Sequence, residues 1–243
     1  MDIAREKLII ALDDLEFREA IGVVLETMTY SSTYKIGLAM FSAYGPSIVH
    51  ELKSLGLQVF LDLKLHDIPM QVAKAVERCL ALSPRFLTLH ALGGRRMLEA
   101  ASKASEGSST SLLAVTVLTS FDEPDWRELG FSASILKSAE QLAELAAESG
   151  ILGLVCSPHE ARSIKERQPN HFLMCPGVRL KKTEIHDQQR VLTPFDALRS
   201  GADALVVGRP ITAAKNIKDA AKAFWLEIQE AVSEGEHYAL GRS

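Results

Sequence analysis

Short apolar runs alternate with amphipathic ones along the whole chain. Residues 8–12, 33–38, 58–63, 86–90, 112–118, 153–156, 172–175 and 204–207 have the length and apolar content of buried strands. Between them apolar positions recur at helical spacing. Phe17, Ala20, Ile21, Val24, Leu25 and Met28 share one face, as do Val72, Ala75, Val76, Cys79 and Leu80, and Ile135, Ala139, Leu142, Ala143 and Ala146. Strands that are apolar on both faces belong to a parallel sheet covered by helices.

Eight strand-then-helix units predict an α/β chain folded as a (β/α)8 TIM barrel, a single domain over residues 1–243. A helix over about 220–232 and a short polar tail would close it. Residues 102–111, rich in Ser and Gly, read as a surface loop before the fifth strand. The rival is a doubly wound open sheet. That fold usually has a glycine-rich first turn, whereas strand one here runs into Ala11-Leu12-Asp13-Asp14.

The length of 243 residues suits one such barrel. With 27 basic and 31 acidic residues, the net charge is −4 and neither sign forms a block. Nucleic acid is therefore not the expected partner, since it calls for a basic footprint. Cys79, Cys156 and Cys175 are widely spaced, with no CxxC pair, and read as buried thiols of a reducing compartment. The N-terminus has no apolar signal core, and no stretch reaches the roughly 20 apolar residues of a membrane span. The expectation is a cytoplasmic protein without membrane contact.

The chemistry of a barrel belongs at the C-terminal ends of its strands. There the sequence places Asp13 after strand one, Lys35 in strand two, and Asp62 and Lys64 in strand three with Asp67 beyond. His90 ends strand four and Thr119-Ser120 follows strand five. Asp62 and Lys64 are two apart, so a regular strand points both the same way. Ile68-Pro69 then opens a helix, with proline in its first turn. One Asp–Lys pair could be an ion pair that only orients the strands. Lys35, Asp62, Lys64 and Asp67, four groups alternating in sign at one barrel end, point instead to chemistry, each lysine kept charged by carboxylates.

A second cluster is phosphate-like. Gly177 and Gly208 allow close backbone approach, and Arg179 and Arg209 supply guanidinium forks after strands seven and eight. Those two loops are the usual phosphate site of such barrels. Residues 176–194 form a long connection, read as a lid or as a disordered excursion. His90 reads as a base or, more simply, as a hydrogen-bonded strand end; His66 orients its loop. No histidine spacing matches a metal motif, and the interleaved lysines would repel Mg²⁺. No metal is expected.

Asp62-Leu63-Lys64-Leu65-His66-Asp67-Ile68-Pro69, Tyr34-Lys35-Ile36-Gly37, Val115-Thr116-Val117-Leu118-Thr119-Ser120 and Val207-Gly208-Arg209-Pro210 together resemble the bacterial orotidine 5′-phosphate decarboxylases. The motifs stand in family order and cover the chain from Leu8 to Arg209. The resemblance implies a homodimer that makes uridine 5′-monophosphate in pyrimidine biosynthesis without a metal or organic cofactor. It implies Lys64 as proton donor to C6, within a network of Asp62, Lys64, Lys35 and an Asp67 reaching in from the partner subunit. Asp13 and Lys35 would contact the ribose, Thr119 the pyrimidine, Gln188 the lid side, and Arg179, Gly208 and Arg209 the phosphate. Ile68, Pro69 and Gln71 complete the substrate-binding set. Met70-Gln71 stands where the family commonly has Asn-Thr, and Leu180 where it has proline.

Loss of CO₂ from C6 leaves an electron pair in the ring plane, where the π-system cannot take it up. Preorganised charge must then stabilise it, and an ammonium beside C6 does this and supplies the proton. Two alternatives use the same residues. One is a sugar-phosphate aldolase or synthase, with Lys64 forming a Schiff base or supporting an enediolate. The other is a non-catalytic barrel that binds phosphorylated nucleosides.

Overall fold

The computed structural model describes residues 2–181 and 192–240, with side chains through residue 234. Eight parallel strands form a closed barrel: β1 Leu8–Ala11, β2 Thr33–Gly37, β3 Gln58–Leu65, β4 Phe86–His90, β5 Ser111–Val115, β6 Gly153–Val155, β7 Phe172–Pro176 and β8 Ala204–Val207. Each pairs with the next, and β8 returns to β1 through Leu8↔Leu205 and Ile10↔Val207. Every residue of β1, β2 and β8 is buried, as strands covered on both faces require.

Alternate positions serve two layers. Ile9, Ala11, Phe60, Phe86, Leu113, Met174, Ala204 and Val206 pack inside the barrel. Leu8, Ile10, Tyr34, Ile36, Leu61 and Leu205 belong to the outer layer shared with the helices. Phe60 and Phe86 meet edge to face at 5.8 Å, and Phe86 stacks on Phe172 at 5.5 Å. These rings fill the N-terminal half of the barrel and leave its C-terminal half for the site.

The strand boundaries differ from the sequence reading where partners run out. The fifth strand stops at Val115, not at residue 118, because its neighbours stop there: Val115 pairs with His90 on one side and Val155 on the other. The second ends at Gly37, since Leu38 opens the helix Leu38–Tyr44. The third reaches Leu65 and is irregular. Its pairing with β4 shifts between Leu61 and Leu65, and Lys64 takes a φ of 47°.

Residues 102–104 are the last turn of the helix Arg95–Ala104, so the loop is shorter than the Ser/Gly content implied. The last helix starts at Ile217 because the Asn216 side chain accepts from the Asp219 N–H at 3.0 Å. It runs to Leu240, well past the expected end, with Ala221, Phe224, Ile228 and Ala231 buried. A short helix, Ile3–Lys7, precedes β1 under an Asp2 cap that the sequence reading did not foresee. The three cysteines are buried and free. Among the described residues no helix is long and apolar enough to cross a membrane.

Candidate active site

A cavity of about 700 Å³ opens at the C-terminal ends of the strands. Phe60 lies at its floor, and Val115, Val117, Val155 and Val207 form much of its wall. Into this apolar bowl β1, β2 and β3 deliver four charges in a row. Lys35 Nζ donates to Asp13 Oδ2 and lies 3.2 Å from Asp62 Oδ2. Lys64 Nζ reaches the same Asp62 oxygen at 2.8 Å. Signs therefore alternate as Asp13, Lys35, Asp62, Lys64.

Asp62 and Lys35 are each only 7% exposed. Burial pushes the Asp62 carboxyl up, but Lys35 and Lys64 outweigh it and hold the pKa below the ordinary value. Asp62 is thus an anion in a dry place, the condition for aiming two ammonium groups. The Lys64 side chain is about one-third exposed and faces the cavity.

Asp13 owes its position to Gly37, whose missing side chain leaves room for the carboxylate. Asp13 Oδ1 is buried and has no hydrogen-bond partner among the described residues. An unpaired buried carboxylate oxygen is costly, so this residue at the cavity wall suits a ligand that brings a hydroxyl.

Next to β1 around the barrel, the ends of β7 and β8 bring Gly177, Arg179, Gly208 and Arg209 to the same cavity. Gly177 adopts φ 82°, which a side chain would resist. Arg179 N donates to Leu192 O at 3.2 Å, tying the two ends of the long connection after β7 together. Both arginine side chains are exposed at the mouth.

The comparisons with known proteins agree with one another. The family model described as orotidine 5′-phosphate decarboxylase / HUMPS family matches residues 6–224. The chain is 45% identical to the orotidine 5′-phosphate decarboxylase of Sphingopyxis alaskensis over 84% of this chain and 90% of that one. It is 40% identical to the enzyme so named from Dictyoglomus thermophilum, over 93% and 97%. The crystal structure of orotidine 5′-phosphate decarboxylase from Lactobacillus acidophilus superposes with a TM-score of 0.77 at 32% identity, covering 91% of this chain and 98% of the other.

The chain belongs to the orotidine 5′-phosphate decarboxylase / HUMPS family.

Measured against that family's expected site, eight of the residues singled out from sequence surround the one cavity: Asp13, Lys35, Asp62, Lys64, Thr119, Arg179, Gly208 and Arg209. Thr119 is an exposed loop residue rather than a strand end. Asp67, Ile68, Pro69 and Gln71 do not line it. They follow the C-terminal end of β3, and the Asp67 carboxylate accepts from Ile68 N at 2.6 Å. Asp67 and Gln71 are exposed, and Ile68 and Met70 are 60% and 59% exposed. Gln188 lies outside the described residues.

The His90 imidazole is neutral at neutral pH. Burial, then His66 and Lys64, push its pKa down to about 4. Its ring stacks on His66 at 5.4 Å, and Nδ1 accepts from Leu92 N at 3.4 Å. The simpler reading of this histidine holds.

One polar residue escaped the sequence reading: Thr88, wholly buried in β4 and hydrogen-bonded to both Asp62 and Lys64. The available signal was a threonine two residues before His90, and therefore on the inward face of an apolar strand.

Proposed function

We propose that this protein is a carboxy-lyase that converts orotidine 5′-phosphate to uridine 5′-monophosphate and CO₂ in pyrimidine biosynthesis. The observation that carries this is the Asp13–Lys35–Asp62–Lys64 row inside one apolar cavity, with two arginines at its mouth. The family membership and the names of the relatives support it.

In this reading the phosphate takes the rim of Gly208, Arg209 and Arg179, with the guanidinium forks matched to its oxygens. The ribose hydroxyls meet Asp13, whose Oδ1 is otherwise unpartnered, and Lys35. The pyrimidine lies toward Lys64 with Thr119 beside it. As the C6–CO₂ bond breaks, its electrons stay on C6, and the Lys64 ammonium lowers their energy and then protonates that carbon. Asp62 keeps Lys64 charged and aimed; its own charge near the substrate carboxylate would also favour departure of CO₂. Binding at the distant phosphate contributes to the same barrier by holding the ring in place.

Asp67 completes the network from a second copy of the chain. Its exposure and its distance from its own cavity fit that role. Large apolar side chains exposed nearby, Ile68 and Met70, together with Leu38 after β2, would be covered by such a homodimer. Ile68, Pro69 and Gln71 would then border the partner's substrate. Nucleic acid and membrane have no part in this reading, and the cytoplasm is its compartment.

The test is direct. Chelator-treated protein incubated with orotidine 5′-phosphate should release CO₂ and uridylate in equal amounts. Ligand binding without release would leave the non-catalytic barrel. Turnover of a sugar phosphate instead, with borohydride trapping of Lys64, would establish the aldolase reading.

A further inference from the structure

Asp62 and Lys64 are held together by a third side chain that neither the charge pattern nor the family resemblance brought forward. Thr88 lies in the middle of β4, wholly buried. Its Oγ1 accepts the backbone N–H of Lys64 at 2.8 Å and lies 3.0 Å from Asp62 Oδ1. The direction of the second bond is fixed by proton counting. An ionised carboxylate only accepts, so the single hydroxyl proton of Thr88 goes to Asp62.

The two bonds do different things. Asp62 receives both lysines on Oδ2, Lys35 at 3.2 Å and Lys64 at 2.8 Å. Thr88 takes the other oxygen, so the carboxylate is pinned at both ends and cannot rotate. Lys64 is the more unusual case. Between the pairs Leu61↔Leu87 and Leu65↔Leu89, β3 advances four residues while β4 advances two. The surplus is taken up in a bulge, and there Lys64 has a φ of 47°, a conformation that side-chain-bearing residues avoid. Such backbone persists only where its surroundings enforce it. The Thr88 hydroxyl is what receives the Lys64 N–H in that conformation.

We infer that Thr88 is a positioning residue: its hydroxyl holds the strained Lys64 backbone and the Asp62 carboxylate in one geometry, and so fixes where the ammonium meets C6. Without it the bulge relaxes toward extended strand, and the ammonium swings off the reacting carbon. The ribose and phosphate contacts come from other elements and stay in place. The loss therefore falls on kcat and not on KM. This inference rests on Lys64 being the proton donor.

The experiment compares Thr88→Val, which keeps the shape and removes both bonds, with Thr88→Ser, which keeps the hydroxyl. Folding is checked by circular dichroism, and Lys64→Ala is measured alongside. Thr88→Val should lower kcat roughly 10²-fold, the scale of an ångström of misplacement, with KM changed less than about threefold. Thr88→Ser should recover kcat to within about fivefold of the parent, since the displaced group is back in place. If Thr88→Val does not fold, Thr88→Ala takes its place against Thr88→Ser with the same expectation. A Val or Ala variant with parental kcat overturns the inference. So does a Ser variant as slow as the others, because then packing rather than the hydroxyl is responsible. An active Lys64→Ala variant would instead remove the underlying role of Lys64.

Discussion

The Asp13 carboxylate lies against the α-carbon of Gly37, so that a methyl group built there would stand 2.9 Å from the carboxyl carbon. Gly37 has an ordinary extended φ of −91°, so its backbone tolerates any residue. What the position excludes is volume, and the excluded volume is occupied by a charge that pairs with Lys35.

Gly37→Ala should therefore act on the site more than on the fold. Overpacking of this kind costs roughly 1–3 kcal/mol. Asp13 can yield by swinging out, away from Lys35. The expected result is a KM for the nucleotide raised about tenfold, at 1.4 kcal/mol per decade, with a smaller change in kcat. Unaltered steady-state kinetics would show that Asp13 bears no part of the ribose.

In the proposed reaction, Lys64→Ala would remove proton donor and stabilising charge together. Turnover should fall by well over the roughly 10²–10³-fold typical of deleting one preorganised donor. A variant within tenfold of the parent in single-turnover CO₂ release would take Lys64 out of the chemistry.

Asp67 gives a prediction about assembly. Lys64→Ala and Asp67→Ala homodimers should each be nearly inactive. Mixed, they exchange subunits, and each heterodimer contains one site with both residues intact, so activity should return. Exchange demonstrated by mass spectrometry with no recovery would place Asp67 outside the partner's site.

Glu160 carries a pH dependence of stability unrelated to turnover. It is 6% exposed, and burial raises its pKa to about 7 against hydrogen bonds with Ser157 and Thr116. The folded protein thus keeps this proton where the unfolded chain has lost it. Folding stability falls between about pH 4.5 and pH 7 and is flat above, by on the order of 3 kcal/mol. Glu160→Gln should lose that slope and gain on the parent at pH 8 relative to pH 4.5 in denaturant titrations. Parallel pH profiles for the two proteins would refute the assignment.

The barrel was legible because its signal is repeated eight times, and each β-to-α change of period survives an error of a residue or two at its ends. The charges were legible because Asp62 and Lys64 interrupt an apolar strand, which is costly without a use. Three things were hidden for physical reasons. The end of β5 depends on where β4 and β6 stop, which is a pairing property. The φ of Lys64 depends on the mismatch of two strands. Thr88 looks like any β-branched strand residue until its hydroxyl is seen between two charges. Asp67 could be named from the motif but lies outside its own cavity, and the proposed homodimer would give it its neighbours.

The rings of Phe60, Phe86 and Phe172 also decide traffic. They stop the barrel from below, and among the described residues the bowl opens at the end where the arginines stand. In the proposed reaction, carbon dioxide formed deep in the bowl would leave through the same mouth as the nucleotide. In that reading gas and uridylate share one doorway.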